Sequence, residues 1–332
     1  MTREIMVFAE QEDGAIHPIS YELLWKGREI ADRQRVELAC ILLGYAIENR
    51  EIDELINHGA DVVFVFDHES LREFDPVRYK ENIVKIVRKE KPDTLLIGAT
   101  NLGRSLGPRI AASLRTGLTA DCIDLNLIEN DLIQIRPAFT GTILANIKTS
   151  TRPQICTVRY KAFREGERNP ARKGRIIREE AVIVENTGLR IVCKEALGGV
   201  DLPNAEVIVS GGRGLKKPED FSLLKELADL YGGSCGSSRP LVDDGWISKE
   251  HQVGFTGNIV KPKLYIACGI SGSPQHLAGM RNSGVIIAIN NDPSAPIFKV
   301  ADYGIVGDLY EVVPKLIEET KRRRKMEQTK SI

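Results

Sequence analysis

The chain has 332 residues, too many for one ordinary core, so two domains are expected, each large enough to bury a sizeable interior. Lysine plus arginine equals aspartate plus glutamate at 46 each, which argues against a strong one-signed field of the kind that draws a protein to nucleic acid or a membrane. No apolar stretch approaches the roughly 20 residues of a membrane-spanning helix, and the five histidines show no metal-ligand spacing.

Met1 leads within a few residues into an apolar run at 5–9, the first strand, so no signal or transit peptide is expected and a cytoplasmic location is. Residues 19–33 have helical spacing with Leu23, Leu24, Ile30 and Ala31 inward, and 38–43 reads as the second strand. Runs at 61–66 and 94–97 repeat the pattern, with a charged helix from about 76 to 89 between them. This alternation predicts parallel strands joined by crossover helices. The turn Gly98-Ala99-Thr100-Asn101 then opens a helix through Ala112, with Thr100 or Asn101 as N-cap. Such a turn can hold phosphate, yet no lysine follows as in a P-loop and no acidic ribose partner is present, so it reads as structural.

From 125 the texture changes to short strands at 125–127, 133–135, 143–147 and 155–159, expected as a mixed or antiparallel extension of the sheet. Residues 159–175, loaded with Arg, Lys and Glu, read as an exposed excursion, and 181–184 as a last strand. Residues 197–203, LGGVDLP, lose periodicity and mark a linker. The expected domains are 1–195 and 196–332.

The second domain restarts the alternation at 206–209, and Ser210-Gly211-Gly212-Arg213-Gly214 follows at once. A glycine-rich turn directly after a buried strand lets a pyrophosphate or ribose approach the backbone, and Arg213 supplies a planar donor fork. GGRG lacks the full dinucleotide fingerprint, and a plain tight turn is its alternative. Residues 264–268 read as a buried strand ending in Gly269, Ser271, Gly272 and Ser273, with Pro274 suited to the first turn of a helix. A phosphate or flavin edge suits this turn, and His276 can donate to a reduced cofactor. An ordinary strand-to-helix turn with His276 as a cap suits it too. The basic run 321–325 reads as a solvated, frayed helix end. The six cysteines, with no CxxC pair, read as reduced and mostly buried, Cys193 and Cys235 being the candidates for reactivity.

VSGGRG (209–214), SSRPLVDDGW (237–246), VGFTG (253–257), LYIACGISGSPQHLAGM (264–280) and AINNDPSAPIFKVADYGIVGDL (288–309) together resemble the alpha subunit of electron-transfer flavoproteins. Residues 98–122 and 135–147 resemble family segments of the first domain, more weakly. The resemblance implies an α/β chain of two mainly parallel sheets with flanking helices. The first is a nucleotide-binding-like fold that carries no nucleotide and packs on a beta subunit; the second is a Rossmann-like FAD-binding domain.

The same resemblance assigns cofactor contacts to Arg213, Ser238 and Arg239, the last close to the flavin ring. A reduced flavin gains negative charge near N1 and C2=O, and a fixed guanidinium stabilises it there. Val253, Gly254, Thr256 and Gly257 correspond to the loop whose threonine reaches flavin N5. Phe255 stands where the family commonly has glutamine, so no role transfers to its side chain. Ser271, Gly272 and Ser273 correspond to the pyrophosphate segment, Gln275 and His276 to its polar contacts with flavin C2=O, and Asn290, Asp308 and Leu309 to the adenosine half.

The implied function is electron carriage, in a heterodimer with a beta subunit holding AMP or, in bifurcating members, a second FAD. A dehydrogenase of the acyl-CoA type or another would donate, and a quinone oxidoreductase or ferredoxin would accept. Movement of the FAD domain about the linker would present flavin to different partners. No catalytic residue and no metal ligand is assigned. An NAD-dependent dehydrogenase-like enzyme and a non-catalytic assembly subunit remain as alternatives.

Overall fold

The computed structural model describes residues 5–128, 131–138, 143–193 and 200–330. The chain forms two compact units, 1–193 and 194–332. The expected boundary residues 195 and 196, and residues 197–199 of the expected linker, lie outside the described residues.

The first unit runs β1 (Ile5–Ala9), β2 (Gln11–Glu12), β3 (Ala15–Ile16), α1 (Pro18–Gln34), β4 (Leu38–Gly44), α2 (Asn49–Asn57), β5 (Val62–Asp67), α3 (Pro76–Glu90), β6 (Thr94–Gly98), α4 (Asn101–Leu114) and β7 (Leu118–Cys122). It continues with β8 (Asp124–Ile128), β9 (Asp131–Ala138), β10 (Ile143–Ile147), β11 (Gln154–Val158) and β12 (Arg175–Arg178). Seven strands form a parallel sheet in the order β12-β5-β4-β1-β6-β11-β7. Helices cover both faces, which is why β1, β4 and β6 are buried along their whole length and read as continuous apolar runs. Prolines at the first turn start α1 and α3; the Asp75 carboxylate caps α3 by accepting from Val77 N–H. Thr100 caps α4, accepting from Gly103 N–H at 3.0 Å.

Three expectations change. The antiparallel strands are no extension of the main sheet: β8, β9 and β10 form a separate three-stranded sheet, while β11 returns to lie parallel between β6 and β7. The last strand of the unit is Arg175–Arg178, parallel to β5, and not 181–184. Val182 instead has its backbone N–H and C=O taken by the fully buried Asn82 side chain on α3, at 2.7 and 3.2 Å, so no strand partner is needed. Helix α2 was not foreseen at all.

The second unit holds β13 (Val207–Gly211), α5 (Phe221–Leu230), β14 (Ser234–Ser237), α6 (Arg239–Asp243), β15 (Leu264–Cys268), α7 (Pro274–Met280), β16 (Val285–Asn290), β17 (Tyr303–Val306) and α8 (Leu309–Lys330). Its five strands are parallel, in the order β14-β13-β15-β16-β17. Val209, Ile266 and Ile289 face one core with α5 and α8, and Ile208, Tyr265 and Ala288 face the other. Leu202, expected in the linker, is fully buried in that second core. The basic run lies in α8, where Lys321 pairs with Glu226 at 2.6 Å and Arg323 with Glu319 at 2.9 Å. Among the described residues no helix is long and apolar enough to cross a membrane, and no side-chain group could hold a metal ion.

Candidate functional site

In the second unit the strand order reverses between β13 and β15, since β14 lies on one side of β13 and β15 on the other. Open parallel sheets bind ligands outside the carboxyl ends of their strands at such a reversal. Gly212 and Gly214 follow β13, Ser238 follows β14, Gly269 follows β15, Asn290 ends β16 and Asp308 follows β17. The sequence-predicted residues therefore gather along one edge of the sheet. The two central turns interlock: Gly212 N–H donates to Cys268 C=O and Gly214 N–H to Gly269 C=O, each at 3.0 Å. A Cβ on Gly212 would come within 2.5 Å of the Gly269 oxygen, so this approach requires glycine.

The loop carrying Val253, Gly254, Thr256 and Gly257 is fastened to the same edge. Val253 N–H donates to Ser237 C=O at 2.8 Å, and Phe255 N–H to Gln275 C=O at 2.8 Å on α7. Val253 is buried and Gly254 adopts a φ of 149°. The exposed Thr256 accepts at its hydroxyl from Gln252 Nε2, 3.1 Å away. Phe255 is 42% exposed and serves the loop through its backbone, so a glutamine amide is not needed to hold the loop's shape.

His276, on α7, is the most buried polar side chain among the predicted site residues. It is 5% exposed, its Nε2 lies 3.0 Å from the Tyr265 hydroxyl, and the ring is flanked by the Val253 backbone while its buried Nδ1 makes no well-formed hydrogen bond. Burial pulls its pKa down to about 4, so the ring is neutral at physiological pH. Its backbone N–H also meets Ser273 Oγ, the cap of α7, at 3.4 Å, so the capping role belongs to Ser273 and not to the histidine.

The remaining predicted residues differ in how much side chain they offer. Arg213 is exposed, and Arg239 is exposed and pairs with Asp243 at 3.0 Å one turn along α6. Ser238 is buried, its N–H donating to Gly211 C=O. Ser271 accepts from Ile297 N–H at its carbonyl, and Gly272, at φ 86°, lies against the Ile297 backbone. Asn290 spans the turn, donating to Ile270 C=O at 2.9 Å and accepting from Asp292 N–H at 3.0 Å. Asp308 accepts from Tyr310 N–H, whereas the Leu309 side chain is buried in the core and offers a ligand only its backbone.

Three buried polar side chains beside these turns are not among the predicted site residues: Gln252, Tyr265 and Ser210, whose hydroxyl adjoins the Tyr265 phenol without a well-formed hydrogen bond. Tyr265 was assigned to a buried strand; the polar tip of a fully buried tyrosine was the available signal. Cys235, a candidate for reactivity, is buried, and burial pushes its thiol up to about 12, which removes the thiolate. Cys193 is exposed and unpaired.

This edge, with glycine turns interlocked at the carboxyl ends of a parallel sheet, is that of a dinucleotide-binding domain. Residues 5–183 match the electron transfer flavoprotein domain family, and 201–281 match the electron transfer flavoprotein FAD-binding domain family. An electron transfer flavoprotein subunit alpha of Thermoanaerobacterium thermosaccharolyticum is 49% identical over 96% of this chain and 98% of its own length. A lactate dehydrogenase (NAD(+),ferredoxin) subunit LctC of Acetobacterium woodii is 45% identical over 95% of this chain and 76% of its own. An acryloyl-CoA reductase electron transfer subunit beta of Anaerotignum propionicum is 41% identical over 96% of each. The chain belongs to the electron-transfer flavoprotein alpha-subunit family, whose second domain binds FAD and which works with a beta subunit in electron transfer.

Proposed function

We propose that this chain binds one FAD along the carboxyl edge of β13–β17 and, paired with a beta subunit, carries electrons from a dehydrogenase to an acceptor. The carrying observation is His276 Nδ1, a ring nitrogen buried beside the Val253 backbone at this edge without a well-formed hydrogen bond. An orphaned buried polar atom costs the fold unless a ligand pairs it, so it supports a resident group with hydrogen-bonding edges, as FAD has. Bound FAD supplies the electron chemistry, which no side chain here provides.

The chain's own residues would hold and tune it. Arg213 and Arg239 bring positive charge to an edge that must take phosphate and an electron-rich ring. The Gly212–Gly214 and Gly269–Gly272 turns let the dinucleotide approach the backbone, Ser271, Ser273, Gln275, Asn290 and Asp308 line the same edge, and Thr256 offers a hydroxyl oriented by Gln252. The beta subunit would complete the pocket and hold AMP or a second FAD. Six unpaired cysteines support a reducing, cytoplasmic setting.

The names of two relatives favour a bifurcating complex as a second reading, since one couples NAD(+) with ferredoxin and the other serves a CoA-ester reductase. Coexpression with a beta subunit followed by a flavin and nucleotide count tests both. One FAD with AMP supports simple transfer, and two FAD with NADH oxidation support bifurcation. A colourless heterodimer after FAD addition overturns both.

A further inference from the structure

We propose that Tyr265 is a positioning residue that fixes His276 in a single tautomer, with the ring proton on Nδ1, so that the histidine donates into the cofactor pocket. This rests on the reading that His276 faces the flavin.

A neutral imidazole carries one proton on either nitrogen, and the protein chooses which. Burial holds His276 neutral and pushes the Tyr265 phenol well above its usual range, so neither ring is charged. The Tyr265 hydroxyl on β15, fully buried, meets Nε2 at 3.0 Å. The Ser210 hydroxyl adjoins the phenol but lies outside hydrogen-bonding geometry. The pair therefore has two possible arrangements. In one, the phenol donates to Nε2 and the ring proton sits on Nδ1. In the other, Nε2–H donates to the phenol oxygen, and the phenol hydrogen has only the poorly placed Ser210 hydroxyl to reach in a dry interior. Leaving a buried donor unmade costs more than a hydrogen bond gains. The phenol is also the stronger acid and the imine nitrogen the stronger base, which favours the first arrangement again.

The consequence falls on Nδ1, which is buried beside the Val253 backbone without a well-formed hydrogen bond. With a proton it is a fixed donor, oriented before any ligand arrives. Flavin carbonyl oxygens and N1 are acceptors whose negative charge rises when electrons are added, so a fixed donor favours the reduced cofactor and an acceptor would disfavour it. Tyr265 thus sets the sign of the histidine's influence without touching the flavin.

Ring-nitrogen NMR of the FAD-loaded heterodimer, with labelled histidine and the signal assigned by His276→Gln, is expected to show a protonated Nδ1 and a bare Nε2. The opposite tautomer overturns the proposal and needs no further variant. Tyr265→Phe keeps the ring and removes the hydroxyl. It is expected to retain FAD, mix the two tautomers and lose about tenfold in preference for reduced flavin, a fall of about 59 mV per one-electron step. An unchanged tautomer or an unchanged potential with FAD bound refutes the role of Tyr265. Should His276→Gln also leave the potential unchanged, the placement of His276 at the flavin fails as well; a shift there beside a silent Tyr265→Phe defeats the tyrosine's role alone.

Discussion

The side chains that orient the proposed FAD contacts lie one layer behind those the motifs point to. Thr256 is exposed and its hydroxyl oxygen already accepts from the buried Gln252, which leaves the hydroxyl proton free for the proposed FAD. Replacing Gln252 with leucine fills the same volume and releases that hydroxyl, so FAD is expected to stay bound while its midpoint potential shifts by the equivalent of about 1 kcal/mol, the net worth of one such bond. Spectroelectrochemistry of the heterodimer reads this directly; a potential identical to the parent's would mean that Gln252 does not orient Thr256. Motif spacing exposes Thr256 and His276 because they sit in glycine-rich turns. It hides Gln252 and Tyr265, whose neighbours are ordinary strand and loop residues and whose partners are four and eleven positions away.

Helix α7 and the loop before β15 behave as one element. Gly279 meets Gly254 so closely that a Cβ on Gly279 would stand 2.5 Å from the Gly254 backbone, and Gly279 C=O accepts from Val260 N–H at 2.8 Å. Alanine at 279 must push the loop off the helix, at a cost of about 1–3 kcal/mol in overpacking. The expected result is at least tenfold weaker FAD binding by titration, with far-ultraviolet circular dichroism unchanged because β13–β17 do not depend on this contact. Full retention of FAD would show that the loop can move without losing the site. Elements of this kind were legible where one pattern dominated: the doubly buried strands β1, β4 and β6 and the proline-started, carboxylate-capped α3 left plain signals. Helix α2 was not, since its buried face is only Ile52, Leu55 and Ile56. The 181–184 run misled because its apolar residues suit a strand while its backbone is paired by the Asn82 side chain.

At the scale of the molecule the sequence shows the alternation but not the neighbours, because β11 inserts between β6 and β7 through contacts that local periodicity does not encode. The two units also carry buried titratable groups of opposite sign, with a consequence for the whole chain. In the first unit Glu10 is pushed up to about 7 by burial, with the hydrogen bond donated by Thr100 at 2.6 Å only partly opposing. Its folded state keeps a proton that the unfolded chain releases above about 4.5, so this contribution to stability is present at low pH and lost as pH rises from 4.5 through 7. His276, in the second unit, is held near 4 against an ordinary 6.5. The unfolded chain binds that proton first, so the second unit keeps its stability above 6.5 and loses it as pH falls toward 4. Each effect is on the order of 3 kcal/mol over its full window. Hydrogen exchange at β4 and β15 amides of the FAD-free chain, corrected for intrinsic rates, is expected to show protection falling in β4 and rising in β15 between pH 5 and pH 7.5. Glu10→Gln should flatten the first trend and leave the second; parallel trends in both strands, unchanged by that substitution, would mean that neither buried group controls its unit.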